Sequence, residues 1–175
     1  DLGGTGISDE GLVHLESLAN LENLYLYATP IGDGGLVHLR GLARLQSLSL
    51  SGSQVTGSGL VHLKALTNLQ VISFWGPWIT DAGLVHLGKL PGLTHLDLLY
   101  SNGFAGPIIT GAGVKSLVGL ESLQSLSLVG ARVNDESLEL PWPKTLRSLH
   151  LANTAVSEQG VSRLKKRIPE CKVIR

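Results

Sequence analysis

Apolar residues recur along this chain in two alternating spacings. From Leu60 they fall three apart, through Leu63, Leu66 and Leu69, and then tighten to Ile72 and Phe74 with polar residues between. Steps of three behind a polar start predict a short helix, and the closing alternation predicts a strand with one face on a core. The phrase returns: Leu12, Leu36, Leu60 and Leu84 lie 24 residues apart and each sits in Gly-Leu-Val-His-Leu. Val114, Leu138 and Val161 continue the series, with one step of 30 and one of 23. A fixed period in the twenties is one supersecondary unit copied along the chain, too thin to be stable alone and buried only by its neighbours. Function is therefore sought on the surface of a stack.

Polar positions repeat as well. Thr56 stands where an N-cap belongs, and Ser8, Thr80, Thr110, Asn134 and Ser157 hold the equivalent place in other copies. Asp9, Asp33, Asp81 and Asp135 follow in the first turn, where a negative charge suits the positive end of the helix dipole. Each unit reads as cap, helix, turn, strand.

The strand phrase L-x-x-L-x-L occurs six times, as Leu21-Leu24-Leu26, Leu45-Leu48-Leu50, Leu69-Ile72-Phe74, Leu93-Leu96-Leu98, Leu123-Leu126-Leu128 and Leu146-Leu149-Leu151. Over nearly its whole length the chain resembles the leucine-rich repeat family. Ile79-Thr80-Asp81-Ala82-Gly83-Leu84 is similar to the subtype found in F-box-associated substrate receptors, bacterial effectors and other bacterial proteins. The resemblance implies an α/β fold: a right-handed solenoid with a concave parallel sheet on one side and short helices on the convex side. Such solenoids bind on the concave surface. Where the family places Asn or Cys after the strand, this chain has Thr5, Thr29, Ser53, Pro77, Ser101, Ala131 and Thr154. Their hydroxyls are expected to bond the turn backbone between layers, except at Pro77 and Ala131.

The copies differ from one another in informative places. Residues 1–175 read as a single leucine-rich repeat domain, with 1–7 a partial first repeat and 163–175 a C-terminal cap. Asp1-Leu2 aligns with Asp97-Leu98, the end of a strand. The parent protein is therefore expected to extend further toward its amino end, which otherwise leaves an uncapped layer open to association. Between Leu98 and Thr110 the chain carries six extra residues, and Tyr100 and Phe104 are expected to be presented there to a partner. Pro141-Trp142-Pro143 cuts one helix short, and Trp142 is expected to cover the shortened layer.

Composition narrows the function classes. Thirty-five of 175 residues are Leu, which suits identical stacked layers, and 14 basic residues balance 14 acidic ones. No global field draws nucleic acid or an anionic membrane, and no apolar run is long enough to span a bilayer. Six basic residues gather in 163–175, but without interleaved aromatics they read as a solvated cap. Cys171 is the sole cysteine, so no internal disulfide forms. Extracellular relatives of this fold often close their ends with disulfides, so the compartment leans toward a reducing, intracellular one, or a host cell receiving an effector.

Two constellations invite chemistry. His14, His38, His62 and His86 recur one copy apart, but the spacing comes from copying, and neighbouring helices hold imidazoles too far apart for zinc at ~2.0–2.1 Å. Serines flank His95, Asp97 and His150, yet an open sheet supplies neither a strained nucleophile turn nor an oxyanion hole. We expect no catalysis, metal or cofactor. Outward strand positions instead place Tyr25, Tyr27 and Trp75 around a strand of small serines, with His95 and Asp97 as a polar rim. Tyr and Trp are common interface anchors. The expected function is recognition of another protein or peptide on the concave face, as in the substrate-recognition part of a ubiquitin-ligase adaptor or a bacterial effector. The alternative is a structural module mediating self-association.

Overall fold

The computed structural model describes residues 1–100 and 109–175. Seven strands form one parallel sheet in strict chain order: β1 Asn23–Tyr25, β2 Ser47–Ser49, β3 Val71–Trp75, β4 His95–Leu99, β5 Ser125–Val129, β6 Ser148–His150 and β7 Lys172–Ile174. Each is reached from the last through a short helix, giving an α/β solenoid with the leucine-rich repeat architecture. Before β1, the N–H groups of Leu2 and Gly4 donate to the carbonyls of Tyr25 and Tyr27, so the first residues extend the same ladder.

The register explains the leucine phrase. Leu24 pairs with Leu48, Leu48 with Ile72, Ile72 with Leu96, Leu96 with Leu126 and Leu126 with Leu149. A second buried row runs through Leu26, Leu50, Phe74, Leu98, Leu128 and Leu151. Period-two alternation puts these rows on one side of the sheet, where Leu12, Leu36, Leu60, Leu84, Val114 and Leu138 from the helices close against them. The core is one continuous slab, and each layer adds the same leucines to it.

The helices split into two kinds. Glu10–Leu15, Asp33–Leu39 and Ser58–Ala65 are 3-10 turns with no side-chain cap. By contrast α1 Asp81–Leu87, α2 Gly111–Val114, α3 Asp135–Leu138 and α4 Glu158–Arg167 are α-helical, and Thr80, Thr110, Asn134 and Ser157 each cap one. The caps expected at Ser8 and Thr56 are not made. Ser8 donates to Glu10 Oε2 (2.7 Å), and the Thr56 hydroxyl donates to Asp33 Oδ2 in the preceding layer. Three-residue leucine spacing fits a 3-10 turn, and an α-turn appears where a side chain takes up an otherwise unpaired N–H.

The aspartates also do more than face a helix dipole. Asp9 accepts from Gly32 N–H (2.8 Å), Asp33 from Gly57 N–H and the Ser58 hydroxyl, Asp81 from Thr110, and Asp135 from Ser157. Each is a clamp to the next layer. The hydroxyl ladder behaves in the opposite way: Thr29 donates to Leu26, Ser53 to Leu50 and Thr154 to Leu151, each carbonyl three residues back. Those hydroxyls close their own turn and do not bridge layers.

Trp142 is buried, as expected, over the layer whose helix the prolines shorten. At the carboxyl end, Arg163 pairs with Glu139 (2.7 Å) and Asp135 (3.2 Å), and Arg167 donates to the carbonyls of Leu138 and Leu140. These two cations fasten α4 to the layer beneath it.

Candidate functional site

The sheet face away from the leucine core is built from three rows of outward side chains, one row per pleat. The first runs Asn23, Ser47, Val71, His95, Ser125, Ser148 and Lys172. The second runs Tyr25, Ser49, Ser73, Asp97, Ser127, His150 and Ile174. In the third, Trp75, Leu99 and Val129 are register neighbours, and backbone bonds from Ala28 to Ser51 and from Gly52 to Trp75 join Tyr27 and Ser51 to them.

The residues expected to shape a trough lie on this face. Ser49 and Ser73 are hydrogen-bonded to each other (3.0 Å), so β2 and the middle of β3 form a low polar floor. Tyr25 and Tyr27 stand exposed on one side and Trp75, 58% exposed, on the other. An indole so open on a parallel sheet adds nothing to the core and leaves its apolar faces in water.

Three residues after Trp75, in the turn that follows β3, Trp78 is 46% exposed. The backbone at Gly76 takes a positive φ of 136° there, and a side chain on it would come within 3.7 Å of the Trp78 ring. Leu99, the register neighbour of Trp75, is exposed as well. Sequence reasoning missed Trp78 because it lies outside the strand alternation. Its signal was Pro77-Trp78 standing where the two preceding copies carry Ser53-Gln54 and Thr29-Pro30.

Tyr100 is not part of this surface. It is 7% exposed, and its hydroxyl donates to the carbonyl of Ile79 in the preceding layer (2.8 Å). The residue was expected to reach a partner, but it follows the strand directly and turns inward to fill the layer edge. Burial, and then the charge of Asp81, push its phenol well above the ordinary range. Phe104 lies outside the described residues.

His95 and Asp97 are on the face as expected. His95 Nδ1 is 2.8 Å from the Thr94 hydroxyl, and no hydrogen bond joins His95 to Asp97 among the described residues. A Ser-His-Asp relay is not assembled. Asp97, Ser127 and His150 are register neighbours in that order, with the hydroxyl in the middle, and a relay needs the imidazole there. Ser127 Oγ has no hydrogen-bond partner among the described residues. In the histidine column, His38 Nδ1 meets Glu16 Oε1 at 2.7 Å. Among the described residues no three His, Cys, Asp or Glu side chains gather as metal ligands, and no helix is long and apolar enough to cross a membrane.

No family model matches the chain, and no curated protein matches it. Solved structures do. An internalin from Listeria monocytogenes is 18% identical, with 97% of this chain and 57% of that one covered and a TM-score of 0.51. An internalin C2 from the same species is 20% identical, covering 98% of this chain and 77% of that one, with a TM-score of 0.62. A leucine-rich repeat protein of Leptospira interrogans is 19% identical, covering 93% and 51%, with a TM-score of 0.50. At these identities the likeness is one of fold, and the chain spans 57% of the first of these structures. The fold is that of the leucine-rich repeat proteins.

Proposed function

We propose that this chain is a non-catalytic recognition module that holds another protein or peptide on its open sheet face, the face expected to be concave. Tyr25, Tyr27, Trp75, His95 and Asp97 are its contact residues, with Trp78 and Leu99 added because both are exposed after or at the end of their strands. The observation that carries this reading is the exposure of Trp75, the most open large apolar side chain among the described residues, on the same sheet face as the exposed Tyr25 and Tyr27. An exposed indole beside a floor of small serines gives a partner an apolar anchor next to room for its own side chains.

The finer assignment, to the substrate-recognition part of a ubiquitin-ligase adaptor or a bacterial effector, rests on the resemblance of Ile79-Thr80-Asp81-Ala82-Gly83-Leu84 alone. The competing role is a structural module that associates with itself through its amino-terminal layer. Peptides selected by display against the whole chain distinguish the two. On the recognition reading, Trp75→Ala weakens selected peptides about tenfold or more, as loss of a hot-spot aromatic does. It leaves the sedimentation coefficient unchanged. A dimer in sedimentation that Trp75→Ala leaves intact and an added amino-terminal capping layer dissociates, with selected peptides indifferent to Trp75→Ala, overturns it in favour of self-association.

A further inference from the structure

We infer that Asp97, Ser127 and His150 form a seat for a guanidinium group, so that the partner segment carries an arginine over the middle of the sheet. The inference rests on the reading of this face as the partner surface and names the chemistry recognised there.

Charge is distributed unevenly over the face. Among the outward residues of β1 to β6, Asp97 is the one carboxylate, and no Lys or Arg shares the face with it. Lys172 is three strands away, about 14 Å at the ~4.8 Å strand spacing. Asp97 makes no hydrogen bond or ion pair among the described residues, although it is half-buried. Residues 101–108 contain no basic side chain either. The carboxylate is thus a lone negative charge on this part of the face, and a cation from outside gains from it without competing with a resident one among the described residues.

Ser127, the register neighbour of Asp97, is 5% exposed, yet its hydroxyl has no partner among the described residues. A buried hydroxyl left unpaired costs free energy. His150 lies on its other side. The row thus presents a carboxylate, a spare hydroxyl and an imidazole in line, one strand spacing apart. Asp97 and His150 flank Ser127 in register and both are partly exposed, so binding at the hydroxyl requires a side-chain movement that uncovers it.

The surroundings select guanidinium over ammonium. Ser73 is the register partner of Asp97, so Trp75 stands one strand over and two residues along, within reach of a group on Asp97. A guanidinium is flat, donates through a fork to both carboxylate oxygens, keeps further N–H groups for a hydroxyl, and stacks on an indole. An ammonium satisfies the charge but gains less from the remaining partners.

The direct probe is N-acetyl-arginine amide titrated into the isotope-labelled whole chain. The expected result is saturable shifts at the amides of Asp97, Ser127 and His150 and at the Trp75 indole. N-acetyl-citrulline amide, the neutral isostere, should give none, and Asp97→Asn should abolish the arginine shifts while the thermal midpoint is kept. Equal shifts with citrulline, or arginine shifts that persist in Asp97→Asn, overturn the seat. So does N-acetyl-lysine amide binding as tightly as arginine, which reduces the site to bare charge. In selected peptides, an Arg→citrulline change and Asp97→Asn are each expected to weaken binding about tenfold, and not additively. Peptides sensitive to Trp75→Ala but indifferent to both changes sink the seat and leave the face reading standing. Peptides indifferent to Trp75→Ala as well sink both.

Discussion

Asp81 accepts two hydrogen bonds from Thr110, one from its backbone N–H at 2.8 Å and one from its hydroxyl at 2.6 Å. The two residues are adjacent only because the layers stack, and the carboxylate joins one turn of the solenoid to the next. Bonds to a charged acceptor are the stronger kind. Asp81→Ala is expected to lower the free energy of unfolding by about 2 kcal/mol, measured by urea denaturation. An unchanged midpoint and slope contradict the clamp.

The clamp has a steric condition. A side chain on Gly35, Gly113 or Gly160 would strike the carboxylate of Asp9, Asp81 or Asp135 respectively. Where the earlier layer has Gly111 in place of aspartate, the later one has Ser137 in place of glycine, and a side chain on Gly111 would meet the Ser137 hydroxyl. Gly111→Asp alone is therefore expected to destabilise the chain. Adding Ser137→Gly should restore stability, because the new carboxylate then reaches the N–H of Asn134 as its counterparts do. A double-mutant cycle should give a favourable coupling of about 1 kcal/mol or more. Simple additivity counts against the rule.

Acid should loosen the stack through these same groups. For Asp33, partial desolvation pushes the pKa up, but the hydroxyls of Thr56 and Ser58 and the N–H groups of Gly59 and Gly57 outweigh it and hold it low. For Asp135 the hydroxyl and N–H of Ser157 lead in lowering it, with Arg163 adding to them. A carboxylate depressed in the folded state adds stability above its unfolded pKa of about 3.9, and that stability drains as pH falls toward and through the folded value. Unfolding followed from pH 7 to pH 3 is expected to show this loss. An Asp33→Asn, Asp135→Asn double variant should be weaker at pH 7 and flatter below pH 5.

Tyr100 gives a prediction of opposite sign in pH. Its hydroxyl is buried against the Ile79 carbonyl, so Tyr100→Phe is expected to cost about 1 kcal/mol at neutral pH. The folded phenol titrates above its unfolded value, so its contribution is whole below that value and lost as pH rises past about 10. Denaturation at alkaline pH should show that loss in the parent chain and not in the variant.

The layered core was legible because its signal is periodic. Leu24, Leu48, Ile72 and Leu96 need only a spacing to be placed beneath one sheet. Tyr100 was not legible, because the leucine phrase ends at Leu98, and the carbonyl that captures its hydroxyl belongs to the layer before. The aspartate clamps were half-legible. Within one copy Asp81 reads as a dipole partner, and only the stacking register reveals Thr110 as the donor. The exchange of Asp and Gly for Gly111 and Ser137 was written in the sequence, visible only when consecutive copies are compared. On the face itself, strand alternation placed Tyr25, Trp75, His95 and Asp97 outward, but Trp78 belongs to a turn and follows no alternation.

The central claim is that partners are held on the sheet face. A display-selected peptide, bound to the isotope-labelled whole chain, tests it most directly through the map of perturbed amides. The account expects the shifts to gather on β3 and β4 and at the indoles of Trp75 and Trp78, and Trp75→Ala to abolish them without changing the melting temperature. Shifts confined to the helices from Glu10–Leu15 to Glu158–Arg167, with Trp75→Ala binding as tightly as the parent, contradict it.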